Sequence, residues 1–205
     1  PPRSTLFPYT TLFRSFLSEL DAVVDRLAPR AISLSDAMAA DPEISEQEVR
    51  SSKVHADFLR DAGFRVEHPF FGIPTAYNAT VSSGTGGKVA LLAEYDALPE
   101  IGHACGHNVH GAMSLLAGAA LAPLMGKVGG ELWVTGTPAE ESNGAKIKMS
   151  AEGLFDDRDL ALMIHSGGEK SYVRYRCLAM DSFEFRFKGK TAHAAATPWE
   201  GRNAL

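Results

Sequence analysis

Apolar residues recur at three- and four-residue steps between residues 16 and 39 of the chain. This spacing predicts one or two amphipathic helices, with Pro29 as a break or kink. A further helix is expected to begin with Ser45 as its N-cap, because Glu48 follows three residues later, and to end at Gly63. Its predicted buried stripe consists of Val49, Val54, Phe58 and Leu59.

Strand-like patterns follow these helices. Short strands are expected between residues 66 and 81, and the glycine-rich residues 84–87 predict a hairpin turn. The run 88–95 is continuous and apolar, which is typical of a strand buried on both faces of a sheet. Further strands are predicted at 131–135 and 160–164, with helices at 111–124 and 145–153. This alternation predicts an α/β fold with a mixed, largely parallel sheet and flanking helices.

The two ends of the chain differ from this pattern. Residues 1–15 contain a near repeat without helical or strand periodicity, and we interpret them as a cloning or sequencing scar. Near the other end, alternation of Phe183, Phe185 and Phe187 with polar neighbours predicts an antiparallel strand, and residues 198–205 resemble the opening of a helix. We therefore expect one domain over residues 16–178 and the start of a second, α+β domain over residues 179–205.

Composition and charge narrow the range of functions. The chain has 205 residues, 45% of them hydrophobic and 22% charged, with a formal net charge of -5. This balance gives no electrostatic footprint for nucleic acid or for an anionic membrane surface, so a small-molecule partner is expected. Two cysteines, Cys105 and Cys177, are too few for a disulfide framework and favour reduced thiols in a cytoplasmic protein. Neither an apolar run of ~20 residues nor a signal-peptide pattern is found in the sequence.

A loop in the middle of the chain concentrates residue types that bind transition metals. Cys105 and His107 lie on either side of Gly106, whose conformational freedom would let the thiolate and the imidazole converge on one ion. His103 and His110 flank this pair and are expected to stabilise the loop by hydrogen bonds. The alternative is a polar loop with one buried cysteine, and the ligand types together with the loop position favour metal binding.

Two further polar clusters also follow predicted strands. Glu140 and Glu141 are adjacent carboxylates that would repel each other unless a cation or a proton lies between them. Taken alone, such a pair is more typical of a solvated turn. His165 closes an apolar strand and is either a satisfied core residue or a ligand. In open α/β sheets ligands bind at the carboxyl ends of strands, and all three clusters are expected there.

Five motifs, taken in order, resemble the aminoacylase- and carboxypeptidase-like family of dinuclear metallopeptidases. Within that family they are most similar to the amidohydrolase branch, which includes p-aminobenzoyl-glutamate hydrolase, auxin-conjugate hydrolases and aminoacylase-like dipeptidases. The resemblance covers nearly the whole chain from Ala22 onward. The motifs are Tyr95-Asp96-Ala97-Leu98-Pro99, His103-Ala104-Cys105-Gly106-His107-Asn108, Pro138-Ala139-Glu140-Glu141, Ile164-His165-Ser166 and Gly189-Lys190-Thr191-Ala192-His193-Ala194-Ala195.

The resemblance implies a pair of divalent metal ions, zinc or manganese, with cobalt or nickel as alternatives. Asp96 would fix the orientation of a ligand, and His103 is expected to support the site in the same way. Glu140 would be the general base, and His193, on the lid of a homodimer, would donate to the developing oxyanion in the neighbouring subunit. The implied metal ligands are Cys105, His107, Glu141 and His165, with Cys105 as a bridging thiolate.

The expected function is hydrolysis of the amide bond in an N-acyl amino acid, a dipeptide or a conjugate such as p-aminobenzoyl-glutamate. One alternative is a cysteine hydrolase that uses Cys105 with His107 or His193 as base, but a histidine two residues along a tight loop faces the sulfur poorly. The other alternative is a non-catalytic metal- or peptide-binding module, which would have no need of Glu140.

The chain departs from the family pattern in three respects. Met38 stands where the family often has a histidine. The resemblance also implies a further metal-binding histidine, and most of the lid, beyond Leu205 in a longer chain. We therefore expect a fragment of this kind, taken alone, to bind metal weakly and to have little activity.

Overall fold

The computed structural model describes residues 7–168, 171–173, 178, 181 and 183–205. The chain divides into two compact units, Pro1–Gly167 and Gly168–Leu205. The domain boundary predicted at residues 178 and 179 adjoins positions outside the described residues and stays a prediction. The first unit contains helices α1 (Phe7–Ala40), α2 (Val49–Asp61), α3 (His107–Leu121), α4 (Met125–Val128) and α5 (Ala145–Ala151) and strands β1 (Arg65–Glu67), β2 (Tyr77–Ser83), β3 (Lys88–Ala93), β4 (Gly130–Gly136) and β5 (Leu160–Leu162).

The five strands form one mixed sheet in the order β1-β2-β4-β3-β5. β3 pairs in parallel with both β4 and β5, whereas β2 is antiparallel to both β4 and β1. The prediction of an α/β fold with a mixed sheet and flanking helices is confirmed. The hairpin predicted at residues 84–87 is wrong, because β4 lies between β2 and β3. Gly129 and Gly130 lead into β4 with positive φ angles, and an added Cβ on either would clash with this turn.

The core lies between the sheet and helix α3. Ser114 of α3 donates a hydrogen bond to the carbonyl of Leu92 in β3 at 2.6 Å. Gly118 lies so close to β4 that an added Cβ would be 2.4 Å from Val134 Cγ2. Val134 is completely buried, and a side chain of this kind contributes roughly 1.5–3 kcal/mol. These contacts fix α3, and with it the first residue of the helix, His107, against the parallel strands.

Helix α1 is continuous, so the break expected at Pro29 is wrong. A proline inside a helix costs about 3 kcal/mol, and burial of one face of the helix offsets that cost. Ala31, Leu34 and Met38, in the turns that follow Pro29, are buried in the core. The helix also includes residues 7–15, for which the sequence shows no periodicity; that these residues are a scar stays a prediction.

The N-terminus of α2 is capped by Glu43 and not by Ser45. The Glu43 carboxylate accepts hydrogen bonds from the N–H groups of Arg50, at 3.0 Å, and Ser51, at 2.7 Å. Ser45 instead donates its hydroxyl proton to Asp96 Oδ2 at 2.7 Å. The expected cap is wrong because a carboxylate two residues earlier already satisfies the free N–H groups of the first turn.

The buried face of α2 also differs from the prediction. Val49 and Val54 are 64% and 46% exposed, whereas Phe58 and Leu59 are buried as predicted. Hydrogen-bonded polar residues occupy part of the core-facing side, and a pattern based on hydrophobicity does not identify them. The buried residues are Ser51, Ser52, His55, Ala56, Phe58 and Leu59.

The second unit contains a 3₁₀ helix at Pro198–Glu200 and a β-bridge between Lys190 and Arg202. The strand expected around Phe183 and Phe187 is not found, because the described residues 183–189 form no strand. These two side chains are 78% and 60% exposed. The helix expected at residues 198–205 ends after one 3₁₀ turn, and Cys177 lies outside the described residues.

One helical stretch, His107–Val128, is long and apolar enough to cross a bilayer by length and composition. Its most apolar window is 56% buried inside the protein. Such burial is typical of a core helix that is apolar around most of its circumference.

Candidate metal centre

Three loops that carry predicted site residues leave the sheet at the same edge. Asp96 follows β3, Glu141 follows β4 and His165 follows β5. Because these three strands are adjacent and parallel, their carboxyl ends lie together. The loop after β3 continues into α3, whose first residue is His107.

The turn at residues 105–107 depends on Gly106. Its φ is 87°, in the left-handed region that favours glycine, and an added Cβ would lie 3.0 Å from Ser166 Oγ. Ser166 holds the turn from the loop after β5, because its hydroxyl donates to the carbonyl of Cys105 at 2.8 Å. Backbone conformation and one hydrogen bond thus set the directions in which the thiol and the imidazole point.

His107 is completely buried, and its two ring nitrogens have different surroundings. Nδ1 donates to the carbonyl of Asp96 at 3.0 Å and to its Oδ1 at 3.1 Å, so Nδ1 carries a proton. Three carboxylate oxygens face Nε2: Glu94 Oε2 at 3.5 Å, Glu140 Oε2 at 3.8 Å and Glu141 Oε1 at 3.9 Å. Burial opposes protonation, but Asp96 and Glu94 outweigh it and raise the pKa of His107. The surroundings of Nε2 therefore call for a cation, either a proton on the ring or a metal ion.

His165 has the same arrangement on the loop after β5. Its Nδ1 donates to the carbonyl of Ser166 at 2.6 Å, so Nε2 is the nitrogen with a free lone pair, and it lies 3.7 Å from Cys105 Sγ. Ligand atoms of Cys105, His107 and Glu141 lie within 4.8 Å of one another, and a second group of the same size is formed by Glu94, His107, His110 and His165. The structure brings all four predicted ligands together, and their role as ligands stays a prediction.

This donor set fits a transition-metal ion. Thiolate, imidazole and carboxylate are the ligands that zinc takes in proteins, at distances of about 2.0–2.3 Å. Among the described residues, the buried Nε2 of His107 and Oε2 of Glu94 have no hydrogen-bond partner. Because buried polar atoms are almost always paired, these two atoms indicate a ligand that the protein itself does not supply.

Asp96 links two of the converging loops. Its Oδ1 accepts from His107, while its Oδ2 accepts from the hydroxyl of Ser45 at 2.7 Å and from the N–H of Glu141 at 3.0 Å. Burial alone would raise the pKa of Asp96, but the hydrogen bonds from His107 and Glu141 outweigh it and lower the pKa to about 2. Asp96 is thus positioned to orient His107, as the sequence predicts.

Glu140 lies at the open side of the cluster, with its side chain 38% exposed and its Oε2 3.8 Å from His107 Nε2. Burial, and then the charge of Glu94, raise the pKa of Glu140. A carboxylate in this position is near enough to the cluster to exchange a proton with a molecule bound there.

Buried carboxylates hold the loop on both sides of Glu140. Ala139 has a φ of 59°, which is strained for a residue other than glycine, and its N–H donates to Glu48 Oε1 at 2.8 Å. On the other side, the N–H of Glu141 donates to Asp96. Sequence analysis placed Glu48 in a capping box and missed this contact, because Glu48 and Ala139 lie 91 residues apart and share no local pattern.

Cys105 is not prepared to act as a nucleophile. Burial, followed by the hydrogen bond and negative charge of Glu141, raises the pKa of its thiol to about 11. Within the described part of the first unit, the imidazole in hydrogen-bonding reach of the sulfur is that of His165, and not that of His107. A cysteine nucleophile needs a lowered pKa and an imidazole base, so these surroundings disfavour the cysteine hydrolase alternative.

Two further predicted residues lie away from the cluster of ligand atoms. His103 has both ring nitrogens buried without a hydrogen-bond partner in the part of the chain that the structure describes, and burial lowers its pKa. His193 lies in the second unit, where its Nδ1 accepts from the N–H groups of Ala195, at 3.3 Å, and Ala196, at 3.0 Å. The proton of a neutral His193 is therefore on Nε2, which suits a hydrogen-bond donor.

The fold and the cluster together define the class: an α/β protein with a transition-metal donor set at the carboxyl ends of its parallel strands. The chain belongs to peptidase family M20/M25/M40, whose model matches residues 90–194. The family resemblance of the five motifs is confirmed.

Named relatives and a solved structure agree with this assignment. The chain is 35% identical over 198 residues to the Xaa-Arg dipeptidase of Mus musculus, covering 89% of this chain and 45% of that protein. It is 34% identical over 205 residues to one of the subunits of p-aminobenzoyl-glutamate hydrolase from Escherichia coli (strain K12), covering 91% and 42%. The YXEP protein of Bacillus subtilis, a dinuclear metal binding peptidase from the M20 family, matches with a TM-score of 0.59 at 25% identity, over 67% of this chain and 42% of that chain. The chain thus spans less than half the length of these relatives.

Proposed function

We propose that the complete protein is a metal-dependent amidohydrolase. Its substrate would be a dipeptide, an N-acyl amino acid or a conjugate like p-aminobenzoyl-glutamate. The observation that carries the proposal is the arrangement of His107 and His165, each of which donates through Nδ1 to a carbonyl and directs Nε2 into a cluster with a thiol and carboxylates. The relatives of this chain include a dipeptidase and an aminobenzoyl-glutamate hydrolase, which supports this substrate class.

Two divalent metal ions would be held by four side chains. Zinc or manganese suits the mixture of donors best, with cobalt or nickel as alternatives. When bound, such ions polarise an amide carbonyl and lower the pKa of water at neutral pH. The proposed ligands are Cys105, His107, Glu141 and His165.

Glu140 would take the proton of the attacking water and deliver it to the leaving amine. Its carboxylate lies beside the cluster, on a loop that Glu48 and Asp96 hold in place. His193 would donate from Nε2 to the developing oxyanion, from the neighbouring subunit of a homodimer. We also propose a cytoplasmic location. Because the chain spans less than half the length of its relatives, activity and assembly are proposed for the complete protein.

Hydrolysis of an Xaa-Arg dipeptide and of p-aminobenzoyl-glutamate by the complete protein tests this function. We expect turnover that is lost after a chelator removes metal and that returns when zinc or manganese is added. Glu140→Gln should keep its bound metal and lower kcat by about 10²–10⁴-fold. Glu152→Gln, at an exposed glutamate beyond α5, is the matched control and should leave kcat unchanged.

Two results would contradict the proposal. Turnover that survives metal removal and disappears on thiol alkylation would favour the cysteine hydrolase. Tight binding of metal without hydrolysis of dipeptides, N-acyl amino acids or p-aminobenzoyl-glutamate would favour the binding module.

A further inference from the structure

Glu94 is a buried carboxylate at the end of β3 whose two oxygens have different surroundings. Its side chain is 1% exposed, and its Oε1 pairs with the ammonium group of Lys146 from α5. Its Oε2 has no hydrogen-bond partner among the described residues and faces His107 Nε2 at 3.5 Å and His110 Nδ1 at 3.7 Å. One oxygen is therefore neutralised by a lysine, while the other points into the candidate metal centre.

The hydrogen bonds of His110 remove it from the set of metal donors. Its Nε2 accepts the backbone N–H of Ser166 at 2.6 Å, so that nitrogen carries no proton and its lone pair is already used. The ring proton is then on Nδ1, which faces Glu94 Oε2 as a donor and has no lone pair for a metal. Of the four residues in the second group, Glu94, His107 and His165 keep a free lone pair.

We propose that Glu94 is a further ligand of the metal centre, through Oε2, and that Lys146 and His110 are residues that position it. The inference rests on the proposed function, since it adds a ligand to the same pair of divalent ions. A fully buried carboxylate requires a counter-charge, and Lys146 supplies one at Oε1 without covering Oε2. A carboxylate that served only as partner of Lys146 would have no need of an unpaired oxygen aimed at His107 Nε2.

Titration of the metal-free complete protein with Co²⁺ tests this assignment. Bound equivalents and the visible absorption of Co²⁺ report the number and type of ligands, independently of activity. We expect the wild type to bind two equivalents, and Glu94→Gln to bind one of them at least 10-fold more weakly with a changed spectrum. The matched control is Glu131→Gln, which removes an ion pair with Arg158 at the opposite end of β4 and should leave the titration unchanged.

The double variant Glu94→Gln, Lys146→Met separates a ligand from a charge partner. It removes both members of the ion pair, so it leaves no uncompensated lysine, and thermal unfolding of the metal-free protein verifies its fold. If Glu94 is a ligand, the double variant stays as deficient in Co²⁺ binding as Glu94→Gln. Recovery of wild-type binding in the double variant, or unchanged binding in Glu94→Gln, would overturn the inference. A wild type that binds no Co²⁺ would overturn the proposed function itself.

Discussion

At the scale of single residues, one hydrogen bond on each imidazole decides what the other ring nitrogen does. In His107 and His165, Nδ1 donates to a carbonyl and Nε2 is left free to bind a cation. In His110, Nε2 accepts a backbone N–H and the remaining nitrogen is a donor. His55 is a fourth case, in which burial and a tyrosine hydroxyl hold the ring neutral.

His55 predicts how the stability of the protein depends on pH. Its ring is completely buried, and this burial, with a smaller effect of His103, lowers its pKa from 6.5 to about 3. The fold therefore requires neutral His55, whereas the unfolded chain takes up a proton near pH 6.5. The corresponding stability is fully present above that pH. It is lost as pH falls towards 3, with a slope that approaches about 1.4 kcal/mol per pH unit.

Urea unfolding of the metal-free complete protein, from neutral pH down to about pH 5, measures this slope. His55→Gln binds no proton at this position and should flatten the dependence. His68→Gln is the control, because the imidazole of His68 is only partly buried and its variant should keep most of the slope. Equal slopes in the wild type and in His55→Gln would contradict the prediction.

At the scale of elements, the sequence predicts those parts whose character lies in their own residues. The apolar runs that became β3 and β4, and the helix between them, are placed correctly because their composition suits burial. The hairpin at residues 84–87 is wrong because a strand from far along the chain enters between its two arms. The cap of α2 and the support of Ala139 were missed for the same reason, since Glu43 and Glu48 act through tertiary contacts.

The two buried glutamates at the start of α2 predict different consequences of the same substitution. Glu43→Ala and Glu48→Ala should each lower the free energy of unfolding by about 1–3 kcal/mol, because each leaves N–H groups without an acceptor. Only Glu48→Ala should also lower kcat, by about 10²-fold, because it releases the strained residue before Glu140.

Thermal unfolding and the pH profile of kcat, measured on the complete protein, separate the two effects. Substitution of Glu48 should change the kcat profile, while Glu43→Ala serves as the matched control with a stability effect alone. Equal losses of kcat in both variants would show that Glu48 has a structural role only.

At the scale of the whole molecule, family membership was predictable because the five motifs keep their types and order along the chain. The donor set was predictable in outline, since Cys105, His107, Glu141 and His165 are chemically distinctive residues at strand ends. Glu94 was not identified as a site residue, because its role depends on which of its oxygens Lys146 covers. The roles of the lid and of a second subunit concern a longer protein than these 205 residues and stay proposals.

Anomalous diffraction at the zinc edge, from crystals of the zinc-loaded complete protein, tests the central claim most directly. The account predicts metal peaks at about 2.0–2.3 Å from His107 Nε2, His165 Nε2 and Cys105 Sγ, with Glu141 as a carboxylate ligand. Zinc bound elsewhere, with His107 Nε2 still facing the carboxylates at 3.5–3.9 Å, would contradict it.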